Sequence, residues 1–133
     1  KQRILEYFSK NSIFPKTDLK ISMQDRRFLE KLTGAIENNF SNSAFGVEEL
    51  ATDVGMSTSH FYRRLKELTG QAPNVYLRNF RLQKAAELLK SNKGLNASEV
   101  MFEIGIESPS YFSTSFKKLH GVSPSEFIKN TKD

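Results

Sequence analysis

The sequence contains no cysteine and no tryptophan among its 133 residues. Without cysteine the chain has no disulfide, no thiol nucleophile and no cysteine ligand for zinc or iron. The two histidines, His60 and His120, lie far apart in the sequence, so we expect neither a metal site nor a cofactor. No apolar run approaches the roughly 20 residues that span a membrane, and the first ten residues are too polar for a signal peptide. We therefore expect an intracellular, cytoplasmic protein, and a piece of a longer one, because an amphipathic pattern without a Met is already under way at Lys1.

The charged residues are unevenly distributed along a chain whose formal net charge is +5. Between residues 63 and 93 the only acids are Glu67 and Glu87. The basic residues of the same stretch are Arg63, Arg64, Lys66, Arg78, Arg81, Lys84, Lys90 and Lys93. Further acids precede the two motifs described below, at Glu48, Glu49, Asp53, Glu99, Glu103 and Glu107. This segregation predicts one basic face suited to a polyanion and another face that turns away from it.

Apolar spacing and turn residues predict an all-α fold. An apolar residue recurs every four positions from Phe28 to Phe40, which indicates an amphipathic helix. Ser22 and Asp25 have the spacing of a capping box at its start. Six more helices are predicted at residues 47–53, 57–70, 73–90, 97–104 and 109–119 and from residue 124 onward. Residues 1–24 are predicted to form an N-terminal arm with a linker around Pro15, and residues 25–133 a single domain.

An internal repeat organises this domain. Residues from Glu49 to Gly55 match residues from Glu99 to Gly105 at an offset of 50. After one extra residue in the second copy, seven positions match at an offset of 51, from Ser59 to Pro73 in the first copy. Each copy predicts a short helix, a glycine turn, a second helix and a glycine exit, which is the helix-turn-helix layout. The first unit is expected at residues 47–70, a linker helix at 73–90 and the second unit at 97–121.

In a helix-turn-helix the second helix enters the DNA major groove. In the first copy the side chains opposite the apolar anchors are Ser59, Tyr62, Arg63 and Lys66. In the second copy they are Ser110, Ser113, Thr114 and Lys117. A bidentate arginine contact to guanine is worth about 1–3 kcal/mol of discrimination. The second copy has no arginine in this set, so we expect it to specify fewer bases directly and to depend more on fit and phosphate contacts.

The spacing of the two units predicts how DNA would be bound. If the linker helix is rigid, both second helices lie on one face about one DNA turn, roughly 34 Å, apart. A shorter spacing would require the DNA to bend, at a cost of a few kcal/mol.

Several alternatives remain open on the residues alone. Repeated helix pairs also build purely structural bundles, and a helical face can serve as a protein-interaction module. An enzyme is disfavoured because the sequence shows no set of nucleophile, base and orienting residue. Tyr62 and Tyr111 suit either DNA contact or packing at the rim, and Arg78 and Arg81 suit either solvent or the DNA backbone. His120, next to Gly121, is expected to carry a positive charge that complements the helix dipole.

The residues that carry the repeat resemble a known family. "VEELATDVGMSTSHFYRRLKELTGQAPNVYLRNFRLQKAAELL" and "EVMFEIGIESPSYFSTSFKKLHGVSPSEF" are similar to the first unit with linker helix, and to the second unit, of the AraC/XylS transcription regulators. The resemblance implies a seven-helix domain that binds double-stranded promoter DNA through two adjacent major grooves. It places base-reading residues at Ser59, Tyr62, Arg63, Ser110, Ser113 and Thr114, and we expect phosphate contacts from Lys66, Tyr111, Lys117 and Lys118. Met101 and Ile106 depart from the family pattern, in which Ala and Phe are usual, and together look like a compensated change in the core.

The N-terminal arm has a resemblance of its own. "KQRILEYFSK", the linker and "SMQDRRFLEKLTGAIENNFSNSAFGVEELA" resemble the stretch after the receiver domain in hybrid two-component systems of Bacteroidetes. This implies that Lys1 to Lys10 is the tail of a receiver helix and that upstream phosphorylation controls DNA binding, through dimerisation. The helix of residues 22–40 would couple the receiver to the DNA-binding body. The implied partners are the receiver in cis, a second copy of the chain and RNA polymerase. The full-length parent would be a cytoplasmic protein or an inner-membrane hybrid sensor with histidine kinase activity.

Overall fold

The structure, a computed structural model, describes residues 22–91 and 94–131. The predicted receiver tail and its linker lie outside these residues. The described part of the chain forms seven α-helices and no strand, which confirms the all-α prediction. The helices are α1 (Met23–Asn39), α2 (Val47–Asp53), α3 (Thr58–Thr69), α4 (Pro73–Lys90), α5 (Ala97–Glu103), α6 (Pro109–His120) and α7 (Pro124–Thr131). Within these ranges, none of the helices combines the length and apolarity that a bilayer crossing requires.

The second helices of the two repeats, α3 and α6, begin and end in the same way. The hydroxyl of Ser57 accepts a hydrogen bond from the His60 N–H at 3.2 Å, and that of Ser108 accepts one from the Tyr111 N–H at 3.2 Å. Each side chain satisfies a backbone donor that a helix start otherwise leaves unpaired. Both helices end at a glycine in the left-handed conformation, at residues 70 and 121. The repeat therefore sets the bounds of both helices by local chemistry.

The chain divides into two compact units. The first contains the described residues 22–39 and 45–78, and the second contains residues 40–44 and the described residues from 79 onward. Helix α4 contributes residues to both, and the division falls between Arg78 and Asn79.

Helix α1 supplies much of the core of the first unit. Its buried residues are Phe28, Leu29, Leu32 and Ile36. The ring of Phe28 meets that of Phe61 edge-on, with 6.2 Å between centroids. Fully burying side chains of this size stabilises a fold by about 1.5–3 kcal/mol each. The first helix-turn-helix therefore packs on α1.

The second unit has its own apolar cluster. Its buried members are Leu82, Ala85, Ala86, Leu89, Val100, Ile104, Ile106, Phe112 and Phe116. Met101 packs against this cluster and Ile106 is part of it. The two residues that differ from the pattern of the resembled family therefore lie in the same core, as a compensated change requires. The ring of Phe116 contacts Phe112 and Phe127 at centroid distances of 5.7 and 5.4 Å. This aromatic row holds α6 and α7 together.

Residues 40–44, which follow α1, are fixed within the second unit. Arg81 donates from Nε to the carbonyl oxygen of Phe40 and from Nη2 to that of Asn42, each at 3.1 Å. Burial lowers the pKa of Arg81 from its ordinary value. Gly105 has a φ of 77°, and a Cβ there would collide with the carbonyl oxygen of Phe40. Arg81, which the sequence left open between solvent and DNA, thus has a structural partner at the end of α1.

Candidate nucleic-acid interface

The predicted reading residues of the first unit share one exposed side of α3. Buried Phe61 and Leu65 fix the orientation of the helix by attaching its other side to the core. Because successive residues turn by about 100° around a helix axis, the opposite side carries residues two and five positions away from these anchors. The exposed residues there are Ser59, Arg63, Lys66 and Glu67, and exposed Tyr62 lies at the edge of this side. Tyr62 retains 49% of its surface, so its ring is not packing in the core.

Neighbouring arginines on α3 have different surroundings. Arg63 is exposed, and its side chain has no hydrogen bond or ion pair within residues 22–91 and 94–131. Arg64 instead lies 3.4 Å from the carboxylate of Asp25, donates to the Gln24 carbonyl oxygen at 3.3 Å and covers the ring of Phe28 at 4.4 Å. Arg63 is therefore available to a ligand, whereas Arg64 attaches α3 to α1. The sequence pattern, which shows only two adjacent basic residues, does not distinguish these two roles.

The second unit exposes a shorter set of side chains on α6. Phe112 and Phe116 hold its inner side to the core. After Pro109, the exposed residues are Ser110, Tyr111, Ser113, Thr114, Lys117 and Lys118. The hydroxyl of Ser110 lies 3.3 Å from that of Ser108, which caps the helix. Tyr111 keeps 46% of its surface exposed. The structure thus exposes all the predicted base and phosphate residues of both helices, and whether they contact DNA remains a prediction.

His120, at the end of α6, does not match its predicted role. It is half-buried against Phe116, with 4.4 Å between ring centroids. Its Nε2 donates to the carbonyl oxygen of Leu82 at 3.1 Å. Burial lowers the pKa of His120 below 6.5, and the charge of Lys90 acts in the same direction, against the opposing effect of the bond to Leu82. His120 therefore serves as a packing and hydrogen-bonding group and not as the predicted helix-end cation, because burial disfavours its charged form.

Two surface features were missed by sequence reasoning. The ring of Phe102 on α5 is 78% exposed. Its equivalent in the first unit, at the offset of 50, is Thr52, so the repeat itself marks the position as exposed. The second feature is an open groove of about 580 Å³ within the first unit. Its lining residues are Gln24, Asp25, Arg27, Phe28, Lys31, Val54, Met56, His60 and Arg64. No signal in the sequence predicts this groove, because it depends on how α1 packs beside α3.

Comparison with known proteins places these features in a family. Residues 50–130 match the family model of a helix-turn-helix domain. The chain is 31% identical over 127 residues to histidine kinase P4 of Formosa agariphila, covering 96% of this chain and 9% of the kinase. It spans 27% to 53% of the length of several other curated regulators, among them MtrA of Neisseria gonorrhoeae at 34%.

Two solved structures are similar over most of their length. The C-terminal domain of AraT, a response regulator from Geobacillus stearothermophilus, is 32% identical, with a TM-score of 0.70 and coverage of 84% of this chain and 88% of that domain. The DNA-binding domain of AdpA, a global transcriptional factor solved in complex with a target DNA, is 31% identical. Its TM-score is 0.69, and the match covers 77% of this chain and 90% of that one.

Proposed function

The chain belongs to the AraC-type helix-turn-helix family of DNA-binding transcription-regulator domains, and we propose that it inserts α3 and α6 into two adjacent major grooves of promoter DNA. The observation that supports this most strongly is the repeated exposure of polar and cationic side chains opposite a buried apolar side on both helices. The DNA-bound relative AdpA supports the same class of ligand.

The two helices have unequal roles in this proposal. Arg63 reads a guanine, with Ser59 and Tyr62 beside it, and Lys66 binds a phosphate. On α6 the hydroxyls of Ser110, Ser113 and Thr114 contact the bases directly or through water. Their short side chains allow the helix backbone to lie close to the bases of the major groove. Tyr111, Lys117 and Lys118 bind phosphates on that side.

Selection of bound duplexes from random DNA tests the proposal. We expect one recovered sequence motif with two separated blocks, the block under α3 being the more strongly specified. Its affinity should fall steeply with salt, as counterion release from neutralised phosphates requires. Recovery of no motif, together with no retarded band at low salt, would reject DNA binding and favour a protein-interaction module.

We also propose that an upstream receiver controls this domain by phosphorylation, through dimerisation. The similarity to a histidine kinase and to the C-terminal domain of a response regulator supports this arrangement. The parent protein would then be a cytoplasmic hybrid kinase or the cytoplasmic part of an inner-membrane one. Comparing the DNA affinity and mass of the full-length protein before and after phosphorylation tests it, and equal values in both states would reject it.

Contact with RNA polymerase is a further part of the proposal, and Phe102 is the residue that we assign to it. The ring is exposed, and it lies on a helix outside the predicted DNA-contacting set. The substitution Phe102→Thr installs the residue found at the equivalent position of the first unit, Thr52, so the fold should tolerate it. We expect unchanged DNA affinity and reduced transcription in vitro. Unchanged transcription would reject this assignment.

A further inference from the structure

Helix α1 carries two exposed cations, Arg27 and Lys31, on one side. Arg27 and Lys31 are four residues apart, so they lie on the same side of the helix. Both are exposed, and neither side chain has a hydrogen bond or ion pair with any residue of the described ranges. Both line the groove beside α3. Two exposed cations on the same wall of one groove call for an anionic ligand.

The other charged residues of the groove do not neutralise Arg27 and Lys31. Asp25 is its single acidic lining residue, and the carboxylate is already paired with Arg64 at 3.4 Å. Little apolar surface is exposed on its floor, because Phe28 is only 5% exposed and Val54 only 6%, while Met56 is partly exposed. The surface that a ligand meets is therefore positive and polar.

The groove borders the first turn of α3. His60, one of its lining residues, adjoins Ser59 in the sequence. The ammonium group of Lys31 lies over the turn that precedes α3, 3.9 Å from the position of a Cβ on Gly55. The N-terminal end of a recognition helix enters the major groove, so cations beside that end face the sugar-phosphate strand that borders the groove.

We propose that Arg27 and Lys31 bind backbone phosphates of the strand bordering the major groove that α3 occupies. This inference rests on the proposed function and extends the DNA interface to α1. An acidic protein segment is the other ligand that a positive groove attracts. The position of the two cations beside the first turn of α3 favours DNA, because that end of a recognition helix approaches the bases of the major groove.

The test measures DNA affinity as a function of salt. The whole 133-residue chain is titrated with a duplex that carries its selected site, at a series of KCl concentrations. Each phosphate contact contributes about 0.9 to the slope of log K against log salt. We expect Lys31→Ala and Arg27→Ala each to lower the slope by about 0.9, and the double variant to lower it by about 1.8. The selected base sequence should not change, because phosphate contacts carry no sequence information.

Two controls separate a local contact from the loss of net charge. Lys31→Arg keeps the charge and should keep the slope. Lys129→Ala removes an exposed cation on α7 and should leave the slope unchanged. Phosphate-ethylation interference provides a second readout, since the double variant should lose interference at one or two phosphates at the edge of the site and keep it elsewhere. Urea unfolding of each variant confirms that the fold is intact.

The outcomes separate this inference from the proposed function. If the unsubstituted chain binds its site but the double variant has the same slope and interference pattern, the α1 contact is wrong and the DNA-binding proposal stands. An equal fall in slope for Lys129→Ala would also overturn the contact, since it would reveal a general charge effect. If the unsubstituted chain binds no duplex, the proposed function is rejected, and the α1 contact is rejected with it.

Discussion

The guanidinium of Arg64 on α3 lies 3.4 Å from the carboxylate of Asp25 on α1. The same group covers the ring of Phe28 at 4.4 Å. We predict that Arg64→Ala lowers the free energy of unfolding by about 1 kcal/mol, because a partly exposed ion pair and a cation–π contact each contribute a few tenths to one kcal/mol. Arg63→Ala is the matched control and should change stability little, since that side chain has no such partners among the described residues. Urea unfolding measures both, and equal losses for the two variants would contradict the different roles.

Arg63 and Lys117 should affect DNA binding in different ways. Arg63→Ala should relax the preference at one base position and cost about 1–3 kcal/mol at the selected site. Lys117→Ala should weaken all sequences about equally and lower the salt slope by about one unit. Competition binding with single-base variants of the site measures both effects. A uniform loss from both substitutions would show that the base and phosphate roles are wrongly assigned.

The glycines of the two helix-turn-helix units should respond differently to the same substitution. Gly55 and Gly105 share a φ of 77°, so alanine costs each about 1–2 kcal/mol of backbone strain. At Gly55 the nearest atom to an added Cβ is Lys31 Nζ, at 3.9 Å. At Gly105 the added Cβ also meets Phe40 and the backbone of Ser41, 3.1 Å away.

We therefore predict that Gly105→Ala destabilises the protein more than Gly55→Ala does. The expected difference in the free energy of unfolding is about 1–3 kcal/mol, the usual cost of overpacking. Thermal and urea unfolding of the two variants give the comparison. Equal destabilisation would show that residues 40–44 are not held against Gly105 in solution.

His120 should make stability depend on pH. Its pKa is lower in the folded state than the ordinary 6.5, chiefly through burial, so the unfolded chain binds a proton more readily. The free energy of unfolding should therefore fall as the pH drops below about 6.5 towards the folded pKa, and the effect should be absent well above 6.5. Urea unfolding of the parent and His120→Gln at pH 7.5, 6.5 and 5.5 measures it. Identical pH dependence in the two proteins would contradict the assignment.

The helix bounds could be predicted well because the residues that set them act on the backbone of their immediate neighbours. The bounds expected for α2 and α4 coincide with those observed, since glycine turns and a first-turn proline act on their own backbone. The repeat likewise identified the exposed set on α3 and α6, because anchors and exposed residues alternate with the helical period.

Long-range partners were not predictable from the sequence. The capping spacing of Ser22 and Asp25 gave the expected hydrogen bond from the Asp25 N–H to the Ser22 hydroxyl at 3.1 Å. The carboxylate of Asp25, however, pairs with Arg64, 39 positions away. His120 similarly takes its partner 38 positions away, at Leu82. Such pairs depend on how helices pack, which neither periodicity nor composition specifies.

The proposal that α3 and α6 enter adjacent major grooves is tested most directly by hydroxyl-radical footprinting on the selected site. We predict two protected segments on the same face of the duplex, separated by one helical turn of about 10–10.5 base pairs. Substitutions on α3 should remove protection from one segment, and substitutions on α6 from the other. A single protected segment, or two segments on opposite faces of the duplex, would contradict the account.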